Sequence, residues 1–265
     1  YDRLTYILNG DYKIKPWLTS NSGLNFANTK WKDANNAEEN YMTRALGAAP
    51  TMRGTNANGD LLLGRDNWDG NPAVNLDKFI RNNLNQKLTL SQALKINLLD
   101  NLSLRASGNW FINQTETENF DKDYLNSPGN YVRTRNTSAA LNKTLNQTYN
   151  AVLNYQETFY DKHNVDAMVG WEFFDTYNNG FSAAGSGAPT DDFMDLGLTT
   201  PDAGRRTIDS FHTRQRINSY FARLNYDYDQ RYLLRVTARK DGYSSLINNR
   251  WGTFPSLALG WKLKN

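Results

Sequence analysis

The stretch RVTARKDGYSSLINNRWGTFPSLALGWKLKN, residues 235–265, decides how this chain is read. Taken as extended from Arg231, it places Arg231, Arg235, Thr237, Arg239 and Asp241 on one face and Tyr232, Leu234, Val236 and Ala238 on the other. After a glycine-bearing turn, Pro255, Leu257, Leu259, Trp261 and Leu263 share a face, opposed by Ser256, Ala258, Gly260, Lys262 and Lys264. A period of two on both sides of a turn is the pattern of a β-hairpin.

The same alternation recurs upstream. Ala222, Leu224 and Tyr226 oppose Arg223, Asn225 and Asp227, while Val165, Ala167, Val169, Trp171 and Phe173 oppose Asp166, Gly170 and Glu172. Similar segments run around residues 141–155, 102–113 and 84–96, and two weaker ones lie at 3–9 and 18–31. About nine strands result. The connections alternate in length: 10–17, 97–101, 158–163 and 227–230 are short, whereas 32–76, 117–137, 182–210 and 242–252 are long and rich in Gly and Asn. This describes an up-and-down antiparallel meander with two unlike ends.

Composition narrows the setting. The 265 residues are 39% hydrophobic and 13% aromatic, and mean hydropathy is −0.72. Aromatics beside many Asn, Thr and Gly suit strands and turns. No apolar run is long enough for a membrane helix, but alternation hides a strand-built span from hydropathy. Thirty basic and 27 acidic residues are interspersed, giving +3 and no nucleic-acid footprint. The absence of cysteine removes thiol chemistry and disulfides. The polar stripes are Asn, Thr, Ser and Arg rather than the Lys and Glu of a soluble surface, and Tyr155, Tyr226, Tyr232 and Trp261 fall on the apolar stripe near the short turns. These features predict an all-β, antiparallel up-and-down transmembrane β-barrel segment with an apolar outside, a polar lumen and an interfacial aromatic girdle. An odd strand count cannot close such a barrel, so the chain is expected to be part of a larger wall; its start at Tyr1, with no signal-like stretch, reads as mature or excised.

The ending also carries a resemblance. YFARLNYDYDQRYLLRVTARKDGYSSL followed by NNRWGTFPSLALGWKLKN, about residues 220–262, resembles a signature segment of the SusC/RagA family of TonB-dependent outer-membrane transporters of Bacteroidetes. KPWL at a short turn and DGNP at the end of a long loop are similar to further family features. The resemblance implies a 22-stranded barrel of the outer membrane, plugged by an N-terminal domain, capped by a SusD-like surface lipoprotein, and importing glycans or peptides with energy relayed by TonB. On this reading residues 1–265 are a partial barrel domain lacking the plug and the remaining strands, and catalysis is not expected.

Candidate sites are few. Arg223, Arg235 and Arg239 are expected to face the lumen, either lining a path for anionic or hydroxyl-rich cargo or pairing with carboxylates of neighbouring strands. Tyr41 and Trp68, in the first long loop, and Tyr131, in SPGNYVRTRN, are candidate contacts for cargo or for the lipoprotein lid. Trp251 and Phe254 are expected to lock an outer loop. DNWDG departs from the calcium-loop spacing, His163 and His212 lack triad partners, and no phosphate loop precedes a helix, so no catalytic residue, metal or cofactor is assigned. The alternative reading is a secreted all-β polysaccharide-binding or polysaccharide-degrading domain, which would bury the apolar stripe in a dry interior.

Overall fold

The computed structural model describes residues 1–33, 45–62, 71–75, 77–127 and 129–263. Its strands are β1 (Asp2–Lys15), β2 (Leu18–Lys32), β3 (Phe79–Leu99), β4 (Leu102–Asp121), β5 (Tyr124–Ser127), β6 (Asn130–Val132), β7 (Thr137–Phe159), β8 (His163–Gly185), β9 (Arg206–Tyr228), β10 (Tyr232–Tyr243) and β11 (Trp251–Trp261). Nine of them form one antiparallel sheet in the order β1-β2-β3-β4-β7-β8-β9-β10-β11, in which every strand but the two outermost pairs with its neighbours along the chain. The meander read from the sequence is this sheet. The separate β5-β6 hairpin, set into a long connection, was not anticipated, and Tyr131 sits on β6 rather than in an open loop.

The hairpin ends explain the sidedness. At the short-turn end, Tyr160 and Asp161 between β7 and β8, and Asp229 and Gln230 between β9 and β10, occupy the left-handed region in succession. Two consecutive positive φ values give a turn whose twist matches the right-handed twist of the flanking strands, so long strands join without splaying. From β4 through β11 the ladders run without a register shift. Strands of 20 to 23 residues in β3, β4 and β7–β9 span about 65–75 Å, well beyond an apolar band about 25 Å tall even when tilted. The excess stands above the band on the long-loop side.

There the connections build a small core of their own. Phe120 is fully buried, and Phe79 packs on Tyr124 with ring centroids 4.9 Å apart. A polar clasp holds the 122–136 and 186–205 connections together: Arg135 reaches Asp123 at 2.6 Å and Asp191 at 2.9 Å, and the Asp123 backbone N–H donates to Asp191 at 2.9 Å. Thr137 adds a hydroxyl donated to the Met194 carbonyl at 2.6 Å. Burial opposes ionisation of Asp191, yet the Asp123 N–H and the Arg135 guanidinium outweigh it and hold the carboxyl below its ordinary 3.8. The folded value being the lower one, the clasp contributes fully above about pH 4 and is lost as pH falls through the depressed value. Protection of the Asp123 amide from hydrogen exchange, with intrinsic rates divided out, should be flat from neutral pH to the ordinary carboxylate value and collapse below it. Undiminished protection in strong acid would refute the clasp.

Candidate functional site: a polar lumen wall between two aromatic belts

Because register is unbroken from β4 to β11, and shifts in β1–β2 and β3–β4 only beside their short turns, each row across the rest of the sheet presents one face. Val169, Leu257 and Leu259 are 55%, 65% and 77% exposed, and Leu4, Leu8, Tyr220, Leu224 and Val236 on the same face are exposed as well. So large an uncovered apolar face is not the interior of a soluble fold, and this is where the secreted-domain expectation parts from the structure. Aromatic rings bound the stripe. At the short-turn end His163, Tyr228, Tyr232 and Trp261 run across four strands with successive centroids 4.9, 6.3 and 6.3 Å apart. Tyr155 and Tyr226 lie just inside this row, as expected for the girdle.

A second belt was not read from the sequence. Trp110, Tyr149, Phe173 and Trp171 run across β4, β7 and β8 at 5.6, 6.5 and 6.4 Å, and Tyr220 packs on Trp251 at 6.1 Å. The polar tips of these rings are satisfied within the belt: Trp110 Nε1–H donates to Tyr149 Oη at 2.9 Å, and Trp171 Nε1–H donates to Asn218 Oδ1 at 2.7 Å. From Tyr228 to Tyr220 is eight residues of β9. That is about 27 Å along the strand and about 20 Å of height at a tilt near 40°, close to the apolar band of a membrane barrel. Trp251 therefore serves the outer belt, with the Lys240 ammonium 5.4 Å from its ring centre, while Phe254 lies on the opposite face. The expectation that these two side chains together lock a loop is corrected, since their odd and even positions on one strand separate them.

The opposite face is hydrogen-bonded row by row. Gln156, Asp166, Asn225 and Arg235 occupy one register row of β7–β10 and form a chain: Gln156 donates to Asp166 at 2.9 Å, Asn225 donates to Asp166 at 3.2 Å, and Arg235 Nε donates to Asn225 Oδ1 at 2.7 Å. Arg223 stands 3.5 Å from Asp166. Two rows further toward the loops, Arg239 gathers Asp241 at 2.8 Å, Glu172 at 3.3 Å and the fully buried Ser219 hydroxyl at 3.0 Å, with its guanidinium 5.6 Å from the Phe221 ring centre. Of the two readings open for these arginines, pairing with carboxylates of neighbouring strands is realised for Arg223 and Arg239, and Arg235 is tied to an amide. Asn and Thr rungs continue the pattern, Asn85 to Asn113 at 2.8 Å and Thr144 to Asn178 at 2.8 Å. At the short-turn end this face encloses an open concavity of about 1130 Å³, lined among others by Asp166, Asn225, Asp227 and Arg235. Tyr131 lies apart from it, 57% exposed beyond the long-loop end, with the Arg133 guanidinium 5.5 Å from its ring centre. Tyr41, Trp68 and the DNWDG segment lie outside the described residues.

An apolar outside between two aromatic belts, a hydrogen-bonded polar inside, and short turns opposite long connections define a segment of a transmembrane β-barrel wall. No family model matches the chain. It is 30% identical over 98% of its length to the TonB-dependent receptor SusC of Bacteroides thetaiotaomicron, of which it spans 22%, and 32% identical over 42% of its length to the TonB-dependent receptor P39 of Formosa agariphila. Among solved structures, the RagAB peptide transporter superposes over 96% of this chain and 29% of its own at a TM-score of 0.81 and 18% identity. P. aeruginosa FpvA, bound to heterologous pyoverdines, covers 98% of this chain at a TM-score of 0.53. The chain is thus a barrel segment of the SusC/RagA-like family of TonB-dependent outer-membrane receptors. These relatives are receptors and transporters.

Proposed function

We propose that residues 1–265 form part of the barrel domain of a longer TonB-dependent importer of the outer membrane, which takes up glycans or peptides together with a SusD-like surface lipoprotein, with TonB engaging a plug domain elsewhere in the parent chain. The carrying observation is the reversal of polarity across one sheet: apolar outward between two belts, Asn, Thr, Arg and Asp inward. A lumen wall of this kind offers transient hydrogen bonds to hydroxyls and amides, which suits passage better than tight retention. Within it Arg223, Arg235 and Arg239 are held by the wall and line the path. Tyr131 offers a flat exposed ring for cargo or lid, a role also proposed for Tyr41 and Trp68.

Whole-cell uptake of fluorescent oligosaccharide and oligopeptide mixtures tests the reading. Accumulation should require the parent gene and stop when a protonophore collapses the energy supply. Equal accumulation with and without the gene, for both cargo classes, would overturn it.

A further inference from the structure

Above the second belt the outward face carries an arrangement that transport does not use. Asp175, whose side chain is only 6% exposed, faces outward on β8 and is held by two arginines of β9, Arg214 Nη2 at 2.6 Å and Arg216 Nε at 3.0 Å. Arg214 also donates through Nε at 3.0 Å. Arg216 lies directly opposite Asp175 across the ladder, and Arg214 lies opposite Tyr177. The arginine side chains remain 51% and 47% exposed, and the bonds to Asp175 use neither Arg214 Nη1 nor either Nη group of Arg216, which keep donors for a further acceptor. Row position places the group one pair above Phe173 and Asn218. Lys240 faces outward at the level of Tyr220, and Lys143 faces outward two pairs above Asp175. Among the described strand residues of β7–β11 facing outward from the level of Tyr220 upward, Asp175 is the sole carboxylate, and the cations are these four and Arg206, which is tied to Thr199 at the start of β9.

We propose that this cluster is a binding site for a phosphorylated lipid of the outer leaflet. The geometry favours that occupant for three reasons. The face is the outside of the barrel, so cargo in the lumen does not meet it. The height is just beyond the aromatic rings, where headgroups begin, and an excess of cations there attracts anionic headgroups. Finally, two guanidiniums on one strand face, about 6.8 Å apart along the chain, are pre-positioned by a shared carboxylate that offsets their mutual repulsion, leaving forked donors that match phosphate oxygens. The inference rests on the membrane-spanning reading of the sheet and is independent of the cargo.

The test uses the full-length parent transporter in non-ionic detergent and measures, by native mass spectrometry, retention of a diphosphorylated glucosamine lipid, of the same lipid with its phosphates removed, and of inorganic phosphate. The diphosphorylated lipid should bind, its dephosphorylated form should not, and inorganic phosphate should fail to displace it. The double variant Arg214→Gln/Arg216→Gln should weaken retention about thirtyfold, the loss expected for two surface cations, while Arg214→Lys/Arg216→Lys, which keeps both charges but loses the forked donors, should fall between that variant and the parent. Unchanged electrophoretic mobility of the unheated barrel certifies that each variant is folded. Equal binding of the dephosphorylated lipid, an unaffected Gln variant, or displacement by inorganic phosphate would each overturn the assignment. A failure here leaves uptake intact, whereas a failure of the importer reading leaves lipid retention intact.

Discussion

Leu224→Arg is expected to lower the folding stability of the parent barrel in lipid vesicles by about 2–4 kcal/mol. Leu224 faces outward midway between the belts, opposite Val236 on β10 and Ala167 on β8, four residues from both Tyr228 and Tyr220. A guanidinium placed there has the farthest to travel to either interface, so it must thin the bilayer or draw water inward. The control is Asn154→Arg, on the polar face of β7 between Ser103 and Met168, where a charge meets the aqueous lumen and the cost should be well under 1 kcal/mol. Urea unfolding of both variants in vesicles reads the difference. Equal costs for the two substitutions would mean that the faces are not distinguished by their solvent, and the membrane placement would fall.

Gly170→Val should cost about 1–3 kcal/mol for a different reason. Gly170 lies on the polar face of β8, directly opposite Phe221 of β9, and a Cβ built at Gly170 would lie only 2.3 Å from two carbons of the phenyl ring. The ring has little freedom to leave, because the Arg239 guanidinium sits over it and is itself fixed by Asp241, Glu172 and Ser219. The glycine is thus the space in which one aromatic side chain of the lumen lies flat on the wall. Phe221→Leu combined with Gly170→Val should recover much of the loss, giving a coupling in the double-mutant cycle of about 1 kcal/mol or more. Additive costs would show that Phe221 is not what the added methyls strike.

How much of this was legible in the sequence follows from what alternation can and cannot encode. The stripes Val165, Ala167, Val169 and Leu257, Leu259, Trp261 announce both the strands and their outward face, because period two survives any tilt of the sheet. The first girdle was legible because its rings sit beside short turns that the sequence also marks. The second belt was not: Trp110, Tyr149 and Phe173 stand mid-strand, and their common height emerges only once register and tilt align strands far apart in sequence. For the same reason the partners of Arg239 were open, since Glu172 lies 67 residues away. Asp175, Arg214 and Arg216 share the parity of the oily stripe, so only their position beyond the belt reveals why charge is tolerated there. The β5-β6 hairpin is too short to leave a periodic trace.

The unbroken ladder from β4 to β11 has an evolutionary corollary. Dropping a single amino acid anywhere between the rings of Tyr228 and Tyr220 would swap solvent and lipid for every side chain on one flank of the lesion, so length changes there are barred. The outer connections bear no such penalty, because lengthening a surface loop adds little closure entropy. Diversification along this chain is therefore channelled into its outer connections, while the stave that bears them stays fixed in length.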